Sequence, residues 1–234
     1  MKNVLICKNC ETENAIYKLT CSNCKEYMRE RIVNLDLWST IWKLVESPTI
    51  GFSNIIHSEH KNFIIVLTFL FSIKYFINTL IFTNAFEINT FTLDYLLQNF
   101  ALSLLYTILL ICLFSLLITL LNKLFGIKSR FKDNIAIYVY STFPLILAGL
   151  FLFLIEFALF GHYFLSFDPS PFLLKKNVAY ISAGLEAIIV IWSLVLSIAA
   201  TFAQSKSIIY SIAVGTIYIG LLFYCMIYLP YFPF

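Results

Sequence analysis

The sequence predicts an all-α polytopic membrane protein, with five transmembrane helices behind a small cysteine-bearing module at the N-terminus. Three observations predict it. Of 234 residues, 60% are hydrophobic and only 12% are charged, whereas a soluble domain carries about a quarter charged residues. Five stretches are long and apolar enough to cross a bilayer core, which takes about 20 residues each. The chain also opens with two Cys-x-x-Cys pairs before any apolar run begins. Taken in order, 1–30 reads as the module, 31–60 as an amphipathic helix and linker, and 61–234 as the five-span domain.

The module comes first. Met1 to Ile6 is too short for the apolar core of a signal peptide, and Cys7 follows at once, so the N-terminus is expected to be retained. Cys7, Cys10, Cys21 and Cys24 form two knuckles with ten residues between them. Two residues between cysteines let a tight turn aim both thiolates at one ion, and a second knuckle completes a tetrahedron. Disulfides are disfavoured in a reducing cytoplasm, so the pattern there reads as a zinc ribbon. Four thiolates leave no open position, so the single Zn2+ is structural, and its binding supplies the folding energy that so short a stretch lacks. Glu11 and Lys25 stand where such knuckles often carry Gly.

Leu35 to Glu46 (LDLWSTIWKLVE) places Leu35, Trp38, Ile41, Trp42 and Val45 at helical spacing, and Ser47-Pro48 ends it. Two tryptophans on a short amphipathic helix suit the lipid headgroup region; the other reading is a helix packed against the membrane bundle, and lipid and protein binding both stay open there. Thr49 to His60 reads as a polar connection.

The spans follow at roughly Asn62 to Phe82, Phe100 to Leu121, Ile135 to Phe160, Val178 to Thr201 and Ile208 to Leu229. Odd parity puts the termini on opposite sides. Lys2, Lys8, Lys18, Lys25, Arg29, Arg31, Lys43 and Lys61 precede span one. Lys123, Lys128, Arg130 and Lys132 follow span two, and Lys206 follows span four. Lys175 and Lys176 are the cations of the other side. The positive-inside rule therefore predicts a cytoplasmic N-terminus and an outside C-terminus. Pro144 inside span three frees a carbonyl and predicts a kink, with Ser141 and Thr142 at hand to satisfy it. Ala148 and Gly149 allow close helix approach there.

Three charges fall within the spans: Lys74, Glu156 and Glu186. Intramembrane charges are costly and are paired or functional. Counted from the outer span ends, Lys74 and Glu186 lie at one depth, and Glu156 is about 6 Å nearer the outside at 1.5 Å per residue. A Lys74–Glu186 pair with Glu156 close by is expected. No Gly-rich phosphate loop, Gly-x-Ser-x-Gly elbow or His-Glu-x-x-His occurs. The charges of the N-terminal arm are mixed, so the sequence indicates neither an enzyme nor a nucleic-acid binder.

WSTIWKLVESPTIGF before span one, five spans, and GIKSRFKDNIAIYVYSTFP leading into span three together make residues 35 to 229 resemble the Yip-domain family, membrane proteins named for interacting with Rab-type GTPases. Prokaryotic-type members often carry an N-terminal zinc ribbon, and residues 7 to 24 are similar to that arrangement. The resemblance implies a membrane protein without known catalysis that acts in membrane organisation, trafficking or assembly. The leading expectation is a scaffold or adaptor. Its partners are the bilayer and a cytoplasmic or membrane protein, a second copy included. The alternative is a small transporter or lipid-handling protein centred on Lys74, Glu156 and Glu186. Abundant Ile, Asn, Lys and Phe point to an AT-rich bacterial source and hence to the plasma membrane.

Overall fold

The computed structural model describes residues 4–86 and 92–228. Lys2, the middle of the loop between spans one and two, and Leu229 lie outside the described residues, as do the first residues of the 1–30 module and the end of the 61–234 domain. Strands β1 (Val4–Ile6) and β2 (Glu13–Ala15) pair antiparallel with Leu5 opposite Asn14. Among the described residues eleven helices follow: α1 (Leu37–Glu46), α2 (Pro48–His57), α3 (Ile64–Phe86), α4 (Leu93–Leu124), α5 (Phe131–Ser141), α6 (Phe143–Leu147), α7 (Phe153–Phe160), α8 (Tyr163–Ser166), α9 (Pro171–Leu174), α10 (Lys176–Ser205) and α11 (Ile208–Tyr228). A π-helical turn, Ala148–Leu152, joins α6 to α7.

Among the described residues five helical segments are long and apolar enough to cross a membrane: Ile64–Ala85, Leu93–Leu124, Phe143–Phe160, Lys176–Ser205 and Ile208–Tyr228. Along α4, Leu105, Leu109, Leu113, Leu116, Leu117 and Leu120 all stand exposed. So continuous an apolar face is unsuited to water and suited to lipid. The protein is an integral membrane protein, mostly helical, with a four-cysteine cluster at its N-terminus.

Three elements differ from the sequence reading, each for a local reason. Thr49 to His60 is not a polar connection. Pro48, which cannot continue α1, occupies the first turn of α2, where its missing N–H is no loss. Gly51, Phe52, Ile55 and Ile56 of α2 are buried. A side chain at Gly51 would meet Leu44 Cδ2 at 2.9 Å, so the glycine lets α2 fold back on α1. The second span begins at Leu93 rather than near Phe100. Asp94, Gln98 and Asn99 make its first turns polar, and the Thr92 hydroxyl accepts from the Tyr95 amide at 3.2 Å. The third span is not one helix from Ile135. The chain breaks at Thr142, ahead of Pro144, and α5 is a separate buried helix. Ser141 Oγ donates to the Tyr138 carbonyl at 2.8 Å beside the break, and the π turn follows Pro144 within a few residues.

The residues cluster into two compact units. The first comprises Met1–Ile65, Ile111–Ser141 and Val195–Tyr218. Its core holds Leu44, Phe52, Ile55, Ile118, Ile137 and a ring cluster of Phe114, Tyr138 and Tyr218, with centroids 4.8–4.9 Å apart. The hydroxyls of that cluster are satisfied. Tyr138 pairs with Thr201 Oγ1 at 3.1 Å, and Tyr218 donates to the Tyr138 carbonyl at 3.1 Å. Gly126, at φ 73°, closes α4, and the Ile127 amide returns to the Asn122 carbonyl at 2.7 Å. The second unit comprises Val66–Leu110, Thr142–Leu194 and Ile219–Phe234. It buries Phe71, Tyr75, Leu145, Ile146 and Phe160.

Candidate functional site

The cysteines come together as their spacing requires. The first knuckle lies between β1 and β2, and the second lies inside a smaller hairpin marked by a Thr20–Tyr27 bridge. The four Sγ atoms lie within 4.8 Å of one another, with Cys7–Cys24 and Cys10–Cys21 each at 3.5 Å. A tetrahedron with metal–sulfur bonds of ~2.3 Å has edges of ~3.8 Å, so the group can hold a metal ion. The surroundings supply donors suited to thiolates. The Asn23 amide and Asn14 Nδ2 point at Cys21 Sγ at 3.4 and 3.5 Å. Hydrogen bonds from the Thr12 side chain and backbone hold the Cys10 thiol far below its usual range, at about 5. Asn14 Oδ1 receives the Ser22 amide and hydroxyl, which ties β2 to the second knuckle. Glu11 and Lys25 adopt φ of 56° and 62°. They keep the left-handed turn that Gly makes freely, at about 1 kcal/mol or more each.

The ribbon is fixed within the first unit. Arg29 donates to the carbonyls of Tyr17 (3.0 Å), Lys18 (3.2 Å) and His57 (3.1 Å). The Glu59 and His60 amides donate to Ile32 and Val33. Arg130 lies 4.7 Å over the Tyr17 ring, a cation–π contact. The C-terminal carbonyls of α2 gather three cations. Besides Arg29, Lys61 Nζ donates to Ile55, Ile56 and Ser58, and Arg130 donates to Ile56 at 3.2 Å. Cations at a helix C-terminus face the negative end of its dipole.

Asp133, 1% exposed, pairs with two of them. It accepts from Lys61 at 3.0 Å and from two nitrogens of Arg130 at 2.7 and 3.0 Å. Burial is the main cause that brings the Lys61 amine down to about 8, against the pull of Asp133. Burial, with Arg29 and Lys61 adding to it, brings His57 down to about 4. In the sequence Lys61 and Arg130 counted only toward orientation. The missed signal was Asp133, an acid three residues after Arg130 in an otherwise basic loop.

Of the α1 face, Leu44 and Thr40 are buried, while Trp38 and Trp42 are 78% and 64% exposed. Asp36 caps this helix by accepting from the Ser39 amide at 2.8 Å.

In the second unit Lys74 Nζ donates to Glu186 Oε1. Lys74 is only 2% exposed. Its stem packs on Gly149 in the π turn, where an added Cβ would meet Lys74 Cβ at 2.9 Å. Glu156 is also 2% exposed, and its Oε2 has no hydrogen-bond partner among the described residues. Glu156 and Glu186 line one cavity of about 310 Å³. No family model, curated protein or solved structure matches the chain.

Proposed function

We propose that the protein is a non-enzymatic membrane scaffold or adaptor of the Yip-domain type. One structural zinc ion, held by Cys7, Cys10, Cys21 and Cys24, folds a ribbon that faces the cytoplasm and presents a surface to a protein partner. The observation that carries this reading is the way the ribbon is held. Arg29 and the Arg130–Tyr17 contact seat it on the end of α2. An adaptor needs its binding surface in a set orientation, because ordering a loose tether on binding costs affinity. The exposed Trp38 and Trp42 support the same reading, since paired tryptophans on an amphipathic helix favour the headgroup layer. Ile6 and Tyr27, exposed on the ribbon, are the contact residues on this view. The cationic flanks support a cytoplasmic N-terminus and an outside C-terminus, and the abundance of Ile, Asn, Lys and Phe supports a bacterial plasma membrane as the setting.

The test is metal content and site-directed photo-crosslinking at position 27 in membranes, with wild type beside Cys21→Ser/Cys24→Ser. About one zinc per chain and a discrete crosslinked protein, both lost in the variant, are the expected result. A wild type without zinc would overturn the metal assignment. Zinc with no crosslink from the ribbon would overturn the adaptor.

A further inference from the structure

The cavity of the second unit has a composition that the adaptor reading does not use. Its walls carry the rings of Phe82, Phe160, Phe164, Phe167, Phe172 and Phe223, with Asn78, Ser182 and the two carboxylates as its polar groups. The local structure explains how they meet. Glu156 and Phe160 are four residues apart on α7 and so share a face. Gly161, at φ 63°, ends α7 and turns the chain. Phe164 thereby returns to stack on Phe160, with centroids 6.2 Å apart and planes 16° from parallel. Glu186 enters from α10, its charge already met by Lys74.

The charge balance narrows the occupant. Lys74, Glu186 and Glu156 together carry one excess negative charge when all are ionised. It resides on Glu156, buried and with an oxygen lacking any protein donor among the described residues. An isolated buried carboxylate is strongly disfavoured, so it calls for a proton or a bound cation. An anion is repelled by the same excess. Calcium or magnesium wants six or more oxygen ligands, and zinc wants at least three side-chain ligands drawn from Cys, His and carboxylates; a cavity with two carboxylates, one already paired with Lys74, provides neither set. Aromatic faces attract an organic cation held over them, and a volume of about 310 Å³ falls at the small end of ligand cavities.

We infer that this cavity binds a small organic ammonium ion, its charge against Glu156 and its apolar body among the phenyl rings. This site is independent of the ribbon and of any partner the ribbon recruits.

The test uses the detergent-purified full chain and benzyltrimethylammonium, followed by equilibrium dialysis. Neopentylbenzene, in which carbon replaces the ammonium nitrogen, is the neutral competitor in the same micelles. The expected result is saturable binding of the cation that the neutral isostere does not displace. Glu156→Gln should weaken binding at least about tenfold, and Glu156→Asp, which keeps the charge, only a few-fold. Phe160→Leu should weaken binding by a smaller factor. Absence of saturable binding to the wild type would overturn the inference. So would equal displacement by neopentylbenzene, which means a merely apolar hole occupied at Glu156 by a proton. Unchanged affinity in Glu156→Gln would do the same. Should that variant fail to fold, the two wild-type measurements still decide.

Discussion

Asp133 in the first unit and Glu156 in the second are both almost fully buried carboxylates, yet they are built differently. Asp133 accepts three charge-assisted hydrogen bonds, from Lys61 and from both ends of the Arg130 fork. Each of those cations also donates to carbonyls at the end of α2. Glu156 has an oxygen facing no donor, and it lines a cavity. Its neighbour Glu186 has the only cation of the group, Lys74, among the described residues. The difference teaches where to look for function. A buried charge with its partners complete is holding structure together, because removing any member strands the rest. A buried charge with an unmet valence next to empty volume has been left available.

Three experiments would break or sharpen that contrast. The largest effect belongs to Asp133→Ala. It leaves the nearly buried Lys61 ammonium without its counter-charge, and a broken buried pair costs about 3–5 kcal/mol; the half-buried Arg130 adds less. Denaturant unfolding of the metal-loaded protein in detergent should show it, with protection of the ribbon against proteolysis lost in parallel. A loss under about 1 kcal/mol would mean that the cluster is not structural.

The second experiment concerns pH. His57 lies beside the same cations and titrates near 4 when folded, against 6.5 when unfolded. The unfolded chain therefore takes up the proton first, and stability falls as pH drops from 6.5 through 4. The full shift corresponds to about 3–4 kcal/mol, and solvent screening at this half-buried side chain brings the expected loss to about 2–3 kcal/mol. His57→Gln should flatten that window and leave stability above pH 7 little changed. An unchanged pH profile in the variant would show that other groups govern it.

The smallest effect is expected at Glu156. Glu156→Gln removes a buried charge that has an unpartnered oxygen, so stability should change by less than about 1 kcal/mol in either direction. A loss comparable to that of Asp133→Ala would reveal an essential partner for Glu156 and erase the distinction between the two clusters.

Parts of this were legible in the chain itself. The spacing of four cysteines is a local property, and the two hairpins that bring them together are local too. The amphipathic helix ending at Ser47 follows from Trp and Leu at helical spacing and from a proline that cannot continue it. Counting depth along two apolar spans was enough to bring Lys74 opposite Glu186, because a helix rises by a constant amount per residue. Gly149 read as a site of close approach, and Lys74 is what approaches it.

Other parts were not legible, for reasons that are equally physical. Thr49 to His60 looked polar because Thr49, Ser53, Asn54 and Ser58 alternate with the apolar residues. Only packing against α1 and α5 shows that Phe52, Ile55 and Ile56 form a buried face. Pro144 predicts a kink, but whether the chain answers with a tilt, a break or a π turn depends on which carbonyls find new donors.

The sequence by itself determined the membrane class, the five apolar segments and the cysteine cluster, since each depends on composition or on spacing within a few turns. Tertiary structure alone decided which cations Asp133 would bind, that Arg29 would hold the ribbon to α2, and that Glu156 would face a phenyl-walled cavity. Those outcomes join residues far apart in the chain, as Lys61 is from Asp133 and Phe82 from Glu156, and the energy of a charge depends on the neighbours that replace its water.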